Sequence, residues 1–320
     1  VGDFCLDVYL KLDTLPGGRE ISLETGLPVR SVTDQRYSLG GAGNVAANLV
    51  SLGCKEVHAF GVIGNDPYGH EIRRKLNSSG IRDTGIQLQH SAWDTCTYTK
   101  LLETSKSEVQ ETNRIDYGNH NQLENSVAEN LLVQLTALLP NLDAVIINEQ
   151  LTYGLHSQHF QKNLNKLLQQ HSGKLWITDS RNISSNYTNT IMRLNENEVI
   201  AKSNELASAE TNQKPLLNSN APSLGDVLHA TISLSVSSAK LVFVTRGEKG
   251  CIACDDMTNT ELPGIIFQKH IDPVGAGDAF LAGITLALAV NCKPSLAAAF
   301  GNLVAGVTIP QIQQTGTATP

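Results

Sequence analysis

From residue 56 to residue 245 the chain alternates short apolar runs with longer stretches of helical period. That order restricts it to strands joined by crossover helices. Residues 57–62, 144–148 and 174–179 read as strands, and residues 68–77, 123–139 and 155–170 as helices. Met192-Arg193-Leu194 leads into Asn195-Glu196-Asn197-Glu198, residues 223–238 make another helix, and 241–245 is an unbroken apolar strand of the kind buried on both faces. Residues 295–309 make a last apolar helix, and 311–320 reads as turn. The fold class that follows is α/β, doubly wound, with a mainly parallel sheet covered by helices on both faces.

Three stretches break the alternation. Residues 95–103 and 108–116 are β-rich but polar on one face, and 11–39 is turn-rich with only short β-like pieces such as 28–33. They are expected to pair as a small antiparallel sheet outside the main fold, a lid on a single domain spanning 1–320. Residues 1–10 alternate as a strand, with Asp3 and Asp7 pointing to one face because the side-chain period is two. Such a pair suits sugar hydroxyls, or is simply a solvated strand end. Val1 already reads as strand, so a few leading residues are expected to precede it.

Chemistry is expected at Gly275-Ala276-Gly277-Asp278, which opens an uncharged run of helix formers. The first N–H groups of a helix lack intrahelical partners, and its dipole adds positive potential, so these glycines make an anion site. Asp278 falls in the first turn, placed to take a proton from a hydroxyl attacking a phosphate. The plain alternative is a glycine loop capped by Asp278, worth about 1 kcal/mol. A second glycine turn, Gly40-Gly41-Ala42-Gly43-Asn44, runs into a small-residue helix closed by Gly53. Gly41, Gly43 and Ala46 also fit a dinucleotide fingerprint, and an oxidoreductase reading would bind NAD(H). Residues 34–38 before them, however, do not read as the buried strand that motif needs.

Composition removes other classes. A net charge of −7 over 320 residues, with no Lys/Arg cluster, gives no pull on nucleic acid or acidic lipid. No apolar stretch reaches the roughly 20 residues of a membrane span, and nothing at the start resembles a signal peptide, so a cytoplasmic protein is expected. The six cysteines are scattered. Cys251-Ile252-Ala253-Cys254 lacks a second pair at zinc spacing and reads as plain strand. P-loop, zinc-protease and nucleophile-elbow motifs are absent. Carboxylates beside backbone amides at an anion site suit phosphoryl transfer, which implies a nucleotide triphosphate and Mg²⁺.

Taken with Thr245-Arg246-Gly247-Glu248-Lys249-Gly250, these stretches resemble the PfkB, or ribokinase-like, carbohydrate kinases. Residues 40–53 and 272–282 are similar to that family's two signatures, and Asn195-x-x-Glu198 and Thr245-x-Gly247-x-x-Gly250 to its intermediate motifs. The resemblance implies a doubly wound α/β domain with a small β lid, and ATP-dependent phosphorylation of a sugar or sugar-phosphate hydroxyl. It implies Asp278 as base, with the amides of Gly275, Ala276 and Gly277 as the hole for the moving phosphoryl group. Asn195 and Glu198 would organise Mg²⁺ through water, and Thr245, Gly247, Gly250 and Asn302 would line the ATP site. Asp3, Asp7, Gly41 and Asn44 would bind the sugar.

Within the family, Gly2-Asp3-x-x-x-Asp7, Arg114-Ile115-Asp116 and residues 316–320 are most similar to the heptose 7-phosphate kinase domain of the bifunctional lipopolysaccharide heptose enzyme. Asn148-Glu149-Gln150 stands where that group has Ser-Asp-Tyr with a downstream Lys, and Asp179-Ser180-Arg181 where it has Asp-Pro-Lys. Lost lysines leave an unphosphorylated sugar open as the acceptor. The H-x-G-H of a nucleotidyltransferase half is absent. Partners expected are a small-molecule sugar, no nucleic acid, no membrane, and a homodimer paired through lid strands. The reading from another class is a non-catalytic sugar or nucleotide sensor on the same fold.

Overall fold

The computed structural model describes residues 1–13, 20–105, 108–182, 184, 187–211, 222–256, 258–268, 271–312 and 315–319. In chain order these form β1 (Phe4–Leu12), β2 (Val32–Gly41), α1 (Ala42–Ser51), β3 (His58–Gly64), α2 (Pro67–Ser78) and β4 (Arg82–Gln89). Next come β5 (Thr97–Ser105), β6 (Glu108–Tyr117), α3 (Asn125–Leu138), β7 (Ala144–Glu149), α4 (Gln158–Gln170), β8 (Leu175–Ser180) and β9 (Ile191–Asn195). The chain closes with α5 (Glu196–Thr211), α6 (Leu224–Ser238), β10 (Val242–Thr245), β11 (Cys251–Asp255), β12 (Thr258–Leu262), α7 (Ala276–Ala289) and α8 (Pro294–Thr308).

The main sheet has the order β12-β11-β10-β9-β8-β7, parallel from β7 to β10 and antiparallel through β11 and β12. Residues 1–3 extend it. Gly2 bridges Asn148 in parallel on one side, while its N–H donates to the Phe60 carbonyl of β3 on the other, at 2.9 Å. β3 carries β4 in parallel. Beyond Asp3 the same strand leaves this sheet and becomes an inner strand of a second one, ordered β2-β1-β5-β6, which is not the purely antiparallel sheet expected because β1 and β5 run parallel at its centre.

Strand alternation explains why helices cover both faces. On β8, Trp176 points into the layer holding Leu131 of α3 and Leu164 of α4, and its neighbour Ile177 points to α7. On β10, Phe243 meets Phe280 of α7 edge-on at 6.2 Å, whereas Val242 and Val244 face Val227 and Leu234 of α6. Burying side chains of this size contributes about 1.5–3 kcal/mol each. Cys251 and Cys254 are buried in β11, as expected of a plain strand, and no cluster of metal-ligating side chains occurs among the described residues. No helix among them is long and apolar enough to cross a membrane.

Four elements depart from the expectation. Residues 32–41 form a full strand, β2, although 34–38 are polar. Residues 34–38 pair with β1 in the outer sheet, where they are exposed or half-exposed and need no apolar pattern. β4, with the sequence Arg-Asp-Thr-Gly-Ile-Gln-Leu-Gln, went unread because a sheet-edge strand with a glycine carries little alternation. β9 extends the short Met192-Arg193-Leu194 run, and α5 continues past Glu198 through a polar sequence. Residues 14–19 of the expected lid segment lie outside the described residues.

Candidate active site

β8 and β9 end beside the start of α7, with the outer sheet above them, and enclose a cavity of about 700 Å³; β10 ends alongside β9. The carboxyl ends of parallel strands are where open α/β sheets take ligands. α7 begins abruptly for local reasons. Gly275 has φ 79°, a left-handed conformation that favours glycine, and the Ala276 N–H closes a turn onto the Pro273 carbonyl at 3.1 Å. The first helical bond runs from Ala279 N–H to Gly275 O at 2.9 Å. The N–H groups of Gly277 and Asp278 are therefore left in the first turn, where no intrahelical carbonyl is within reach. Gly275, Gly277 and Asp278 line the cavity; Ala276, grouped with them from sequence, has its N–H turned into the Pro273 turn.

Asp278 is set by α1. Asn48 Nδ2 donates to Asn44 Oδ1 at 3.1 Å, which turns Asn44 Nδ2 toward Asp278 Oδ2 at 2.8 Å. Burial raises the Asp278 carboxyl from 3.8 to about 7; Asp179 pushes the same way, while the Asn44 hydrogen bond, Arg193 and Arg181 oppose it.

Arg193, which carries no motif, is central. Its Nη1 lies 3.2 Å from Asp179 Oδ1 and its Nη2 donates to Thr245 Oγ1 at 2.8 Å. A methyl on Gly277 would lie 2.5 Å from the same Nη2, so this glycine lets a guanidinium sit directly against the helix start. The clue in the sequence was a lone charge inside an apolar parallel strand, Ile-Met-Arg-Leu-Asn.

The Asn195 and Glu198 pair forms a reciprocal cap on α5. Asn195 Oδ1 accepts from the N–H of Asn197 and of Glu198, each at 2.9 Å, and Glu198 Oε2 accepts from Asn195 N–H at 2.7 Å. Both residues also line the cavity, and burial raises the Glu198 carboxyl. Gly247 and Gly250 take φ 58° and 93° in the turn between β10 and β11, where a Gly250 side chain would strike the Leu262 carbonyl at 2.0 Å. Asn302 of α8 donates to the Pro263 carbonyl at 3.3 Å. Gly247, Gly250 and Asn302 stand along this hairpin edge, outside the cavity wall.

At the other end, Asp7 accepts from Thr315 Oγ1 at 2.8 Å and faces Lys100 Nζ at 3.8 Å; Lys100 in turn donates to the Tyr9 hydroxyl at 3.1 Å. Burial raises the Asp7 carboxyl against the opposing pull of Lys100. Gly41, with φ 55°, lines the same wall, because any Cβ there would meet Asp3 O at 2.5 Å. Asp3 itself is elsewhere. Its carboxylate accepts the N–H groups of Gln150, Leu151 and Leu155 at 2.8–2.9 Å and so pins the loop after β7. Lys100, which the sequence does not single out, also reaches this wall, together with Arg114 of the Arg114-Ile115-Asp116 run and Arg181 of Asp179-Ser180-Arg181.

Comparison with known proteins bears on the family and the fold. The model of the pfkB family carbohydrate kinases matches residues 18–320. The bifunctional protein HldE of Helicobacter hepaticus is 26% identical over 318 residues, covering 98% of this chain and 60% of its own length. That of Trichlorobacter lovleyi is 26% identical over 324 residues, covering 100% and 60%. The chain thus spans about 60% of the length of the curated relatives it matches. Among solved structures, the tetrameric inhibited form of phosphofructokinase-2 from Escherichia coli superposes with a TM-score of 0.71 at 19% identity, covering 98% of this chain and 93% of that one. Arabidopsis thaliana ribokinase complexed with ribose and ATP gives a TM-score of 0.67 at 18% identity, covering 99% and 92%. The ribokinase-like α/β fold with its small lid, and a family match over nearly the whole length, lead to one assignment: this chain belongs to the pfkB family of carbohydrate kinases.

Proposed function

We propose that the chain transfers the terminal phosphoryl group of ATP to a sugar hydroxyl inside the cavity, with Asp278 as the base. One observation carries the reading: a carboxyl raised to about 7 by burial shares a helix start with backbone N–H groups and a guanidinium. A base poised near neutral pH takes the hydroxyl proton as the bond to phosphorus forms. Asn44 holds the carboxylate in place, and the N–H groups of Gly277 and Asp278 with Arg193 stabilise the charge gathering on the transferred group. Thr245, Gly247, Gly250 and Asn302 would hold the nucleotide along the hairpin edge.

Mg²⁺ keeps most of its waters and needs only one or two carboxylates. Glu198 fits that demand: one of its oxygens is occupied by the Asn195 N–H and the residue faces the cavity beside Asp179. Bound there, the ion would neutralise phosphate charge. The Asn195 side-chain oxygen already accepts two N–H groups, so Asn195 acts by fixing the turn that presents Glu198.

Asp7 and Gly41 would take the acceptor, Asn44 being enclosed between Asp278 and Asn48, and Asp3 supports the wall rather than the sugar. Lys100, Arg114 and Arg181 favour an acceptor with a phosphate of its own, in line with the heptose 7-phosphate resemblance, and offset the lysines missing at the family positions. The outer sheet would close over the sugar and exclude water. Its edges carry exposed Val32 and Ile115, which suit pairing between two copies. The test is ADP release from ATP with a panel of free and phosphorylated sugars. Turnover with phosphorylated sugars only is the expected result; turnover with free sugars alone moves the three cations out of substrate binding, and binding without turnover would make the protein a sensor.

A further inference from the structure

Two cysteines sit where the outer sheet joins the main one. Residues 1–3 belong to the main sheet, Asp3 N–H donating to Asn148 O at 3.0 Å, whereas from Phe4 the strand pairs with β2. Cys5 is the second residue past that crossing. The outer sheet has three further crossings to the body, at the end of β2, the start of β5 and the end of β6, and Cys96 lies immediately before β5. Thr95 is still tied to the body, its hydroxyl accepting from Gly64 N–H at 2.9 Å and its N–H donating to Asp66 at 2.8 Å, while Thr97 already pairs in the outer sheet. The two crossings that run side by side, at β1 and β5, therefore each carry a thiol at the hinge.

The two thiols face each other. The parallel ladder starts at Leu6 with Thr97, and Leu6 N–H donates to Cys96 O at 2.9 Å, so Cys5 and Cys96 are neighbours one step earlier. Adjacent strands lie about 4.8 Å apart, inside the roughly 4.4–6.8 Å between Cα atoms that a disulfide spans. The two side chains lie within interaction range, and Cys5 and Tyr98 beside Cys96 hold its thiol below the ordinary cysteine value, which favours a thiolate there. Cys5 lines the 700 Å³ cavity, so a small solute reaches the pair from the Cys5 side, with Cys96 buried directly behind it.

We propose that Cys5 and Cys96 form an oxidation site for hydrogen peroxide, and that their disulfide locks the hinge of the lid. The Cys96 thiolate attacks one peroxide oxygen, giving a sulfenic acid and hydroxide, which takes a proton to leave as water. The Cys5 sulfur then attacks the Cys96 sulfur; the S–S bond forms, the S–O bond breaks, and the departing hydroxide takes the Cys5 proton as a second water. Two thiols lose two electrons and two protons, and one peroxide becomes two waters. The cross-link joins the two hinge strands, so the outer sheet loses the freedom it needs to close. This consequence rests on the kinase reading; the oxidation site does not.

The reduced, otherwise unaltered chain, treated with one equivalent of hydrogen peroxide, is denatured without reductant, alkylated and mapped by mass spectrometry. The expected map shows Cys5 cross-linked to Cys96, with Cys54, Cys251, Cys254 and Cys292 alkylated. Phosphorylation of the sugar drops on the order of tenfold and returns with dithiothreitol, as expected of a blocked closure, while Cys96→Ser keeps its turnover through the same treatment. Recovery of both Cys5 and Cys96 as alkylated thiols overturns the site, whatever the activity. A disulfide that leaves turnover untouched overturns the hinge lock. The map requires no catalysis and no variant, so failure of the kinase reading or of a variant to fold leaves it decisive.

Discussion

At the residue scale, the Asp278 carboxyl is expected to set both the pH dependence of turnover and part of the pH dependence of stability. With its folded value at about 7, turnover should rise with pH through that point and level above it. Asn44→Ala removes a hydrogen bond that lowers the value, so the midpoint should move to higher pH. An unmoved midpoint in kcat/KM profiles would take Asn44 out of this role. Stability runs the other way. Below 3.8 both folded and unfolded chains hold the proton; between 3.8 and about 7 the unfolded chain releases it first, so the folded state loses stability as pH rises. Asp278→Asn should therefore melt higher than the parent at about pH 8, by on the order of 2 kcal/mol, with the gap closing toward about pH 4. Equal melting at both pH values would mean the carboxyl is not held in a desolvated site.

At the scale of elements, the start of α7 depends on one backbone conformation. Gly275→Ala would place a methyl 2.8 Å from Asn44 Nδ2 and 2.9 Å from Thr315 Cγ2, at a φ of 79°. The expected cost is about 1–2 kcal/mol of stability from the backbone alone, together with a large loss of turnover because Asn44 must move. Denaturant unfolding and steady-state kinetics check both; a variant with normal turnover would show that the helix start tolerates displacement. This element was legible in the sequence because glycine, charge and helix formers come in a fixed order over few residues. β2, β4 and α5 were not legible. Their residues are polar because they lie at an edge, in an exposed sheet or on an outer helix, and periodicity reports only what is buried on one side. Arg193 and Lys100 are not legible for another reason: single basic residues on separate strands converge only in three dimensions. Asp3 shows the converse, since the residue reading placed its side chain on the right strand but could not foresee that three N–H groups 147 to 152 positions away would claim it.

On the scale of the whole molecule, one strand serves two sheets: its first residues extend the main sheet, and its remainder, from Phe4, carries the outer one. Closure of that outer sheet over a bound sugar should slow hydrogen exchange of β5 and β6 when ATP and acceptor analogue are both present. Unchanged exchange in those strands would indicate a rigid canopy instead of a lid. The doubly wound order itself was readable, because central parallel strands must be apolar on both faces, as Val242–Thr245 is. Across these scales, the strand ends, the helix start and the lid converge on Asp278 in the proposed reaction. Turnover of Asp278→Asn, measured beside its melting temperature and nucleotide affinity, tests this most directly. The account predicts a folded chain that binds ATP as the parent does and phosphorylates its sugar slower by several orders of magnitude, on the order of 10⁴-fold. Turnover within a few-fold of the parent would contradict it.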